Sequence, residues 1–320
     1  MISSRYKILL WVTITHKLLP LVLVCSLAYL GTYPLTIVVP SIALIGIVLY
    51  TLFRIGMWQY TNYYIRYLII IAYMILAIYC ILQVTTLTNN LLYEYIIMTS
   101  LSILIICLLV YNTKIFRATK KPERCIKLLF PFKSGRYLVT NGGDGKICRE
   151  INYYHTKKYK KIKHIQTARR YAVDAVLIEK NGRTTQNLLT DDNRDYKIFH
   201  ERIYSPCGGK VIKVVNDAKT HSPFEQTNRI TMGNYLVIKK GEYEILVGNF
   251  EKNTIKVKVG DKVSVGQFIG IVGNSKTLST PHIHIQAYKP NGKSKGEAEG
   301  IPIIFNGHFY GVKNKIIKVR

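Results

Sequence analysis

The hydrophobic pattern of this chain changes abruptly near residue 112. Before it, apolar residues come in long unbroken runs. Leu68–Leu87 and Leu92–Asn112 each have about the twenty residues that a helix needs to cross the hydrocarbon of a bilayer. Glu94 is their only charge and stands near an end. Runs this long and this bare of charge predict membrane spans rather than helices of a soluble core. The preceding uncharged stretch, Leu18–Phe53, is interrupted by Gly31-Thr32-Tyr33-Pro34, which reads as the bend of a helical hairpin. Two spans of about 17 residues just fit it. Starting the first near Leu9 gives more length, but it brings His16 and Lys17 into the membrane, which is costly. The pattern therefore predicts four spans, with three as the alternative. The N-terminus does not read as a removable signal peptide, because no small-x-small site follows an isolated apolar core.

From about Pro122 the pattern becomes short β-type runs punctuated by Gly, Pro and Asn. Strands are predicted over Tyr204–Val215, Asn234–Ile238, Tyr243–Val247, Thr254–Val259, Gln267–Val272 and His282–Tyr288, with a further strand-like run over Tyr171–Ile178. Such regular recurrence, without an amphipathic helix of convincing length, predicts an all-β sandwich or barrel. The fold class is thus an N-terminal polytopic α-helical membrane region followed by a C-terminal all-β domain. The expected divisions are a transmembrane region over 1–112, a basic linker over 113–126, a β-domain over 127–290 and a basic extension over 291–320.

Charge sharpens this division. The chain of 320 residues has a net charge of +27, yet only five of its 45 Lys and Arg and one of its 18 Asp and Glu fall within residues 1–112. A single soluble globule, a disordered or collagen-like chain and a purely transmembrane protein are all excluded. With four spans, Arg5, Lys7, Arg54, Arg66 and the run Lys114, Arg117, Lys120, Lys121, Arg124 share one side. The positive-inside rule makes that side cytoplasmic and takes the β-domain with it, whereas three spans from a cytoplasmic N-terminus put the domain outside. The lysine-rich Lys157–Lys163 reads as a solvated basic loop. Cys25, Cys80 and Cys107 lie in apolar runs, and Cys125, Cys148 and Cys207 are widely spaced without a CxxC. Neither a disulfide framework nor a cysteine metal site is expected.

Several features then fall in a telling order. Ile203-Tyr204-Ser205-Pro206-Cys207-Gly208-Gly209-Lys210-Val211-Ile212 and Gly233-Asn234-Tyr235-Leu236-Val237-Ile238 precede two glycine turns, Gly260-Asp261-Lys262-Val263 and Gly266-Gln267-Phe268-Ile269-Gly270. Val272-Gly273-Asn274-Ser275 and Thr280-Pro281-His282-Ile283-His284-Ile285 follow. In this order the chain resembles the lysostaphin-like (LytM-type) zinc endopeptidases, in their membrane-anchored branch, over roughly residues 127–290. The resemblance implies a LytM-like β-sandwich or barrel-sandwich hybrid, a bound Zn2+, and cleavage of peptide bonds in bacterial peptidoglycan.

His282 and His284 stand two apart on a predicted strand, so both leave the same face. By resemblance His284 is a zinc ligand and His282 the general base or transition-state stabiliser. Arg170-Tyr171-Ala172-Val173-Asp174 resembles the sequence that carries the branch's aspartate ligand, which makes Asp174 the second ligand. Two imidazoles and a carboxylate leave a fourth position for water, as catalytic zinc requires, and zinc lowers the pKa of that water to about 7. Arg170 occupies the place of the family's usual first histidine, and the closer branch sets that ligand further upstream. His164 fits its distance from Asp174, and His155 in Ile151-Asn152-Tyr153-Tyr154-His155 fits its neighbours, so the two are alternatives for one position. His200, His221 and His308 read as surface residues.

One departure bears on activity. Asn249, in Ile245-Leu246-Val247-Gly248-Asn249-Phe250, stands where the family has a second catalytic histidine. An amide can donate to a developing oxyanion but cannot shuttle a proton. Two readings follow: a membrane-anchored zinc peptidase of the wall, or a catalytically degenerate domain that binds a ligand or regulates wall enzymes. The basic surface suits anionic wall polymers. A lipoyl-type carrier is disfavoured by the lack of its lysine hairpin, and specific nucleic-acid binding by the lack of a recognition helix or stacking motif.

Overall fold

The structure is a computed structural model of the chain and describes residues 10–84, 91–154, 167–188, 190–225, 232–277, 279–290 and 298–320. It divides into two units, one over Ile8–Phe116 and one over Arg117–Arg320.

The first unit holds four helices, α1 (Leu10–Leu30), α2 (Leu35–Ile55), α3 (Ile65–Leu82) and α4 (Leu91–Thr119), each long and apolar enough to cross a membrane. The α1–α2 bend falls at the expected break, with Pro34 in extended conformation as the N-cap of α2. Helix α1 begins early enough to include His16 and Lys17. The structure shows how the imidazole is accommodated. The backbone widens into a π-type turn over Ile14–Leu18, and buried His16 accepts a hydrogen bond from the Met57 N–H at its Nε2 (2.7 Å). Its ring packs edge-on to Trp58 at 4.9 Å. Leaving that N–H without an acceptor costs about 1–3 kcal/mol. His16→Leu is therefore expected to lower the thermal midpoint of the detergent-solubilised protein, and an unchanged midpoint would contradict this role. Between α2 and α3, Gly46 leaves room for Tyr73, whose hydroxyl donates to Ile42 O at 2.9 Å. Buried Arg66 lies over the rings of Tyr63 and Phe53, at 3.9 and 4.3 Å from their centroids.

The second unit is built from β1 (Ile126–Leu128), β2 (Gly135–Asn141), β3 (Val173–Leu177), β4 (Arg202–Tyr204), β5 (Gly209–Val215), β6 (Asn234–Lys240) and β7 (Tyr243–Phe250). These are followed by β8 (Lys262–Val263), β9 (Phe268–Ile271), β10 (Ile283–Pro290), β11 (Ala298–Ile301), β12 (Ile303–Phe305), β13 (Phe309–Tyr310) and β14 (Ile316–Val319). The main sheet runs β14-β2-β3-β10-β7-β6-β5-β8, with β11 paired to β10. Strands β1, β12 and β13 form a second sheet, and β4 and β9 a third. The all-β expectation holds, but the main sheet is open: β14 and β8 are its ends, and it does not close into a barrel. Residues 298–320 belong to this unit, since β14 pairs with β2 and β12 with β1.

One face of the main sheet packs a core that includes Tyr137, Val139, Leu236, Ile238, Ile245, Val247, Ile283 and Ile285. The predicted run Tyr204–Val215 divides into β4 and β5 around Ser205–Gly208, where Pro206 has no N–H for a ladder. The expected strand Thr254–Val259 does not form. Its side chains still alternate, with Ile255 and Val257 buried. Its backbone bonds differently: the Ile255 N–H goes to Asn216 Oδ1 and the Lys256 N–H to Ile269 O. The two glycine turns appear at Gly260 (φ +100°) and Gly266 (φ +76°), flanking β8.

Candidate functional site

The site lies on the sheet face opposite this core. Strand β10 sits between β3 and β7, and the register sets His284 beside Asp174 on one side and Gly248 on the other. Because Ile283 and Ile285 are buried in the core, the alternate residues His282, His284 and Gln286 share the other face. At the end of β7 the register shifts between Asn234 and Tyr235, leaving Asn249 as an extra residue at φ +72°. A bulge of this kind re-aims one side chain, and asparagine tolerates the left-handed region better than most residues.

Asp174 is buried and accepts from three side chains. His284 Nδ1 donates to its Oδ1 at 2.7 Å. Tyr154 Oη lies 3.1 and 2.9 Å from Oδ1 and Oδ2, and Tyr153 Oη reaches Oδ2 at 3.1 Å. The two tyrosines are placed by Asn152, which is fully buried and shares its amide N–H groups among the carbonyls of Gly143, Arg170 and Ala172. The Tyr153 N–H donates to Asn141 Oδ1. Behind Tyr154 stands Lys276. It is half-buried, and its ammonium points inward, donating to Tyr154 Oη at 2.7 Å and lying 4.5 Å from the ring centroid.

Asn249 ties these parts together. Its Oδ1 accepts from the Ser275 and Lys276 N–H groups at 3.0 and 3.3 Å, and its Nδ2 donates to His282 O at 2.9 Å. His282 directs Nδ1 to Thr280 O at 2.7 Å. Its buried Nε2 has no hydrogen-bond partner and stands 3.7 Å from Asp174 Oδ1.

Burial alone would raise the Asp174 carboxyl, but His282, His284 and Lys276 outweigh it and hold the group well below the usual carboxylate range. Burial pushes His282 down to about 4 and also lowers His284, so both rings are neutral near pH 7. The Lys276 ammonium is pulled by burial down to about 8, against the attraction of Asp174. His282 ordinarily titrates at 6.5, so between there and about 4 the unfolded chain binds the proton more readily. Stability is thus expected to fall as pH drops through that window, and further below 3.8 as Asp174 is protonated. His282→Gln should flatten the loss between pH 6.5 and 4 in denaturant titrations; parallel profiles for variant and parent would rule this out.

Of the residues singled out in the sequence, the structure brings together Asp174, His282, His284 and Asn249. His155 and His164 lie outside the described residues. His200 and His308 are exposed, and half-buried His221 has its Nδ1 3.3 Å from Glu225 Oε1. The sequence reading missed Tyr153, Tyr154, Lys276 and Arg169. Only Asn152-Tyr153-Tyr154, next to a candidate ligand, gave any signal.

Residues 195–296 match the description of peptidase family M23. This segment is an M23 peptidase domain. The LytM-type resemblance of the sequence therefore holds. No curated protein matches the chain. Among solved structures, a zinc-containing peptidase from Vibrio cholerae is similar at 18% identity over 61% of this chain and 40% of that one, with a TM-score of 0.30. The catalytic domain of lysostaphin from Staphylococcus simulans is similar at 20% identity over 41% of this chain and 74% of that one (TM-score 0.26). LytU is similar at 25% identity over 41% of this chain and 68% of that one (TM-score 0.26). The chain thus spans well under half of the Vibrio peptidase's length.

A family of metallopeptidases implies a metal ion; of the ligand set expected from the sequence, Asp174 and His284 meet here, while His155 and His164 lie outside the described residues. No three His, Cys, Asp or Glu side chains among them cluster to hold a cation. Asp174 Oδ2 accepts from the Tyr153 and Tyr154 hydroxyls and Oδ1 from His284, and the Lys276 ammonium stands one hydroxyl away, where its charge opposes a divalent ion.

Proposed function

We propose that this is a membrane-anchored, catalytically degenerate LytM-like domain that recognises the peptide part of peptidoglycan without hydrolysing it, and so binds or regulates the wall machinery. The observation that carries the reading is the chain Lys276–Tyr154–Asp174, in which an ammonium and a hydroxyl take up the charge and lone pairs that a metal ion would use. Asn249 supports it, because its amide is fully engaged in holding His282 and the Ser275–Lys276 backbone. Four apolar helices supply the anchor, and the net charge of +27 favours attraction to anionic wall polymers. The reading requires the β-domain to face the wall.

A second reading is favoured by one observation, the buried Nε2 of His282 without a partner. It is a zinc endopeptidase acting on peptidoglycan, with Zn2+ on Asp174, His284 and either His155 or His164, and His282 as base. The two separate when full-length protein in detergent is incubated with purified peptidoglycan, with and without added zinc. Protein sedimenting with the wall while free amino groups stay at the level of a His284→Ala control is the expected result. Amine release that depends on His284 would establish the peptidase instead.

A further inference from the structure

A narrow pocket opens onto this cluster, lined by His284, Asn249 and Tyr154 of the site together with Arg169, Lys276, Gly248, Leu246 and Met232. Its charges do not balance. Arg169 is only 9% exposed and its Nε has no hydrogen-bond partner. Its guanidinium lies 5.6 Å from the same Tyr154 ring that Lys276 approaches at 4.5 Å. Two cations therefore converge on one aromatic ring, while the one carboxylate in the cluster among the described residues, Asp174, already accepts from His284 and both tyrosines. An arginine withdrawn from water without an anion is costly to keep, and a planar guanidinium is suited to bidentate recognition of a carboxylate. Of the other lining residues, Leu246 and Met232 belong to a small apolar cluster with Tyr235 and Val237.

We infer that this pocket binds the free terminal carboxylate of a peptide, held between Arg169 and Lys276, with a small apolar last side chain against Leu246 and Met232. The inference rests on the peptide-binding reading above and names the group that would be recognised. Gly248 supplies a second test: a Cβ there would meet nothing closer than Leu246 Cδ2 at 3.4 Å, an ordinary contact, so alanine fits and narrows the pocket.

The experiment is calorimetric titration of the full-length protein in detergent with the tripeptide Lys-Ala-Ala as free acid and as C-terminal amide. The free acid is expected to bind at least about ten-fold more tightly than the amide, the loss of one charge-assisted pair. Arg169→Gln should remove that preference, Arg169→Lys should retain part of it, and Gly248→Ala should weaken the acid with the melting temperature unchanged. Inorganic phosphate should compete only weakly. Equal affinity for acid and amide, no binding of either, or a preference that survives Arg169→Gln would overturn the inference. If peptidoglycan still sediments the protein in those cases, the binding reading stands without this pocket. If it does not, that reading fails too, and cleavage of the tripeptide would replace it with the peptidase.

Discussion

Asp174→Ala is expected to destabilise the β-domain by about 3 kcal/mol, because it strands the buried donors around the carboxylate and removes the negative charge that Lys276 faces across Tyr154. His284 Nδ1, Tyr153 Oη and Tyr154 Oη all lose their acceptor, and the Lys276 ammonium loses the one acidic group in the cluster among the described residues. The diagnostic part is the second substitution. If Lys276 is the built-in counter-charge, Asp174→Ala/Lys276→Met should recover part of the loss, since removing both members of a pair is far milder than removing one. Chemical denaturation followed by circular dichroism on both variants and on Lys276→Met alone gives the coupling. Simple additivity would show that Lys276 and Asp174 do not act on each other.

Asn249→Ala should cost about 2–4 kcal/mol, from buried N–H groups left without acceptors and from a left-handed backbone that alanine resists. The Ser275 and Lys276 N–H groups lose Oδ1, and His282 O loses Nδ2. Asn249→Gly keeps the φ of +72° while losing the same bonds, so its stability should fall between parent and alanine variant. Asn249→His bears on function. Restoring an imidazole at this position should not produce peptidoglycan cleavage, because Tyr154 and Lys276 still hold Asp174. Appearance of amine release in that variant would show that a single residue separates this domain from an active enzyme.

How much of this was legible in the sequence depends on the range over which each signal acts. The four helices were readable because length and the Gly31–Pro34 break are local properties. The entry of His16 into α1 was readable only as a cost; its relief by Met57 and Trp58 comes from the α2–α3 segment and leaves no mark near residue 16. His282, His284 and Asp174 announced themselves through strand alternation and motif order. Lys276 did not: it meets Tyr154 across 122 positions, and one lysine among 45 basic residues carries no signal of burial. Arg169 was hidden for the same reason. In Thr254–Val259 the side chains do alternate, with Ile255 and Val257 buried, yet that period could not reveal that the Asn216 side chain takes the place of a neighbouring strand.

The central claim is that the chain supplies its own cation at the Asp174–His284 site. It is tested most directly by elemental analysis of the full-length protein, purified without chelators and dialysed after exposure to zinc, with His284→Ala beside it. The account predicts far less than one equivalent of zinc in both, and a gain only when Lys276→Gly and Tyr154→His are introduced together. One equivalent of zinc in the parent protein, lost on His284→Ala, would contradict it.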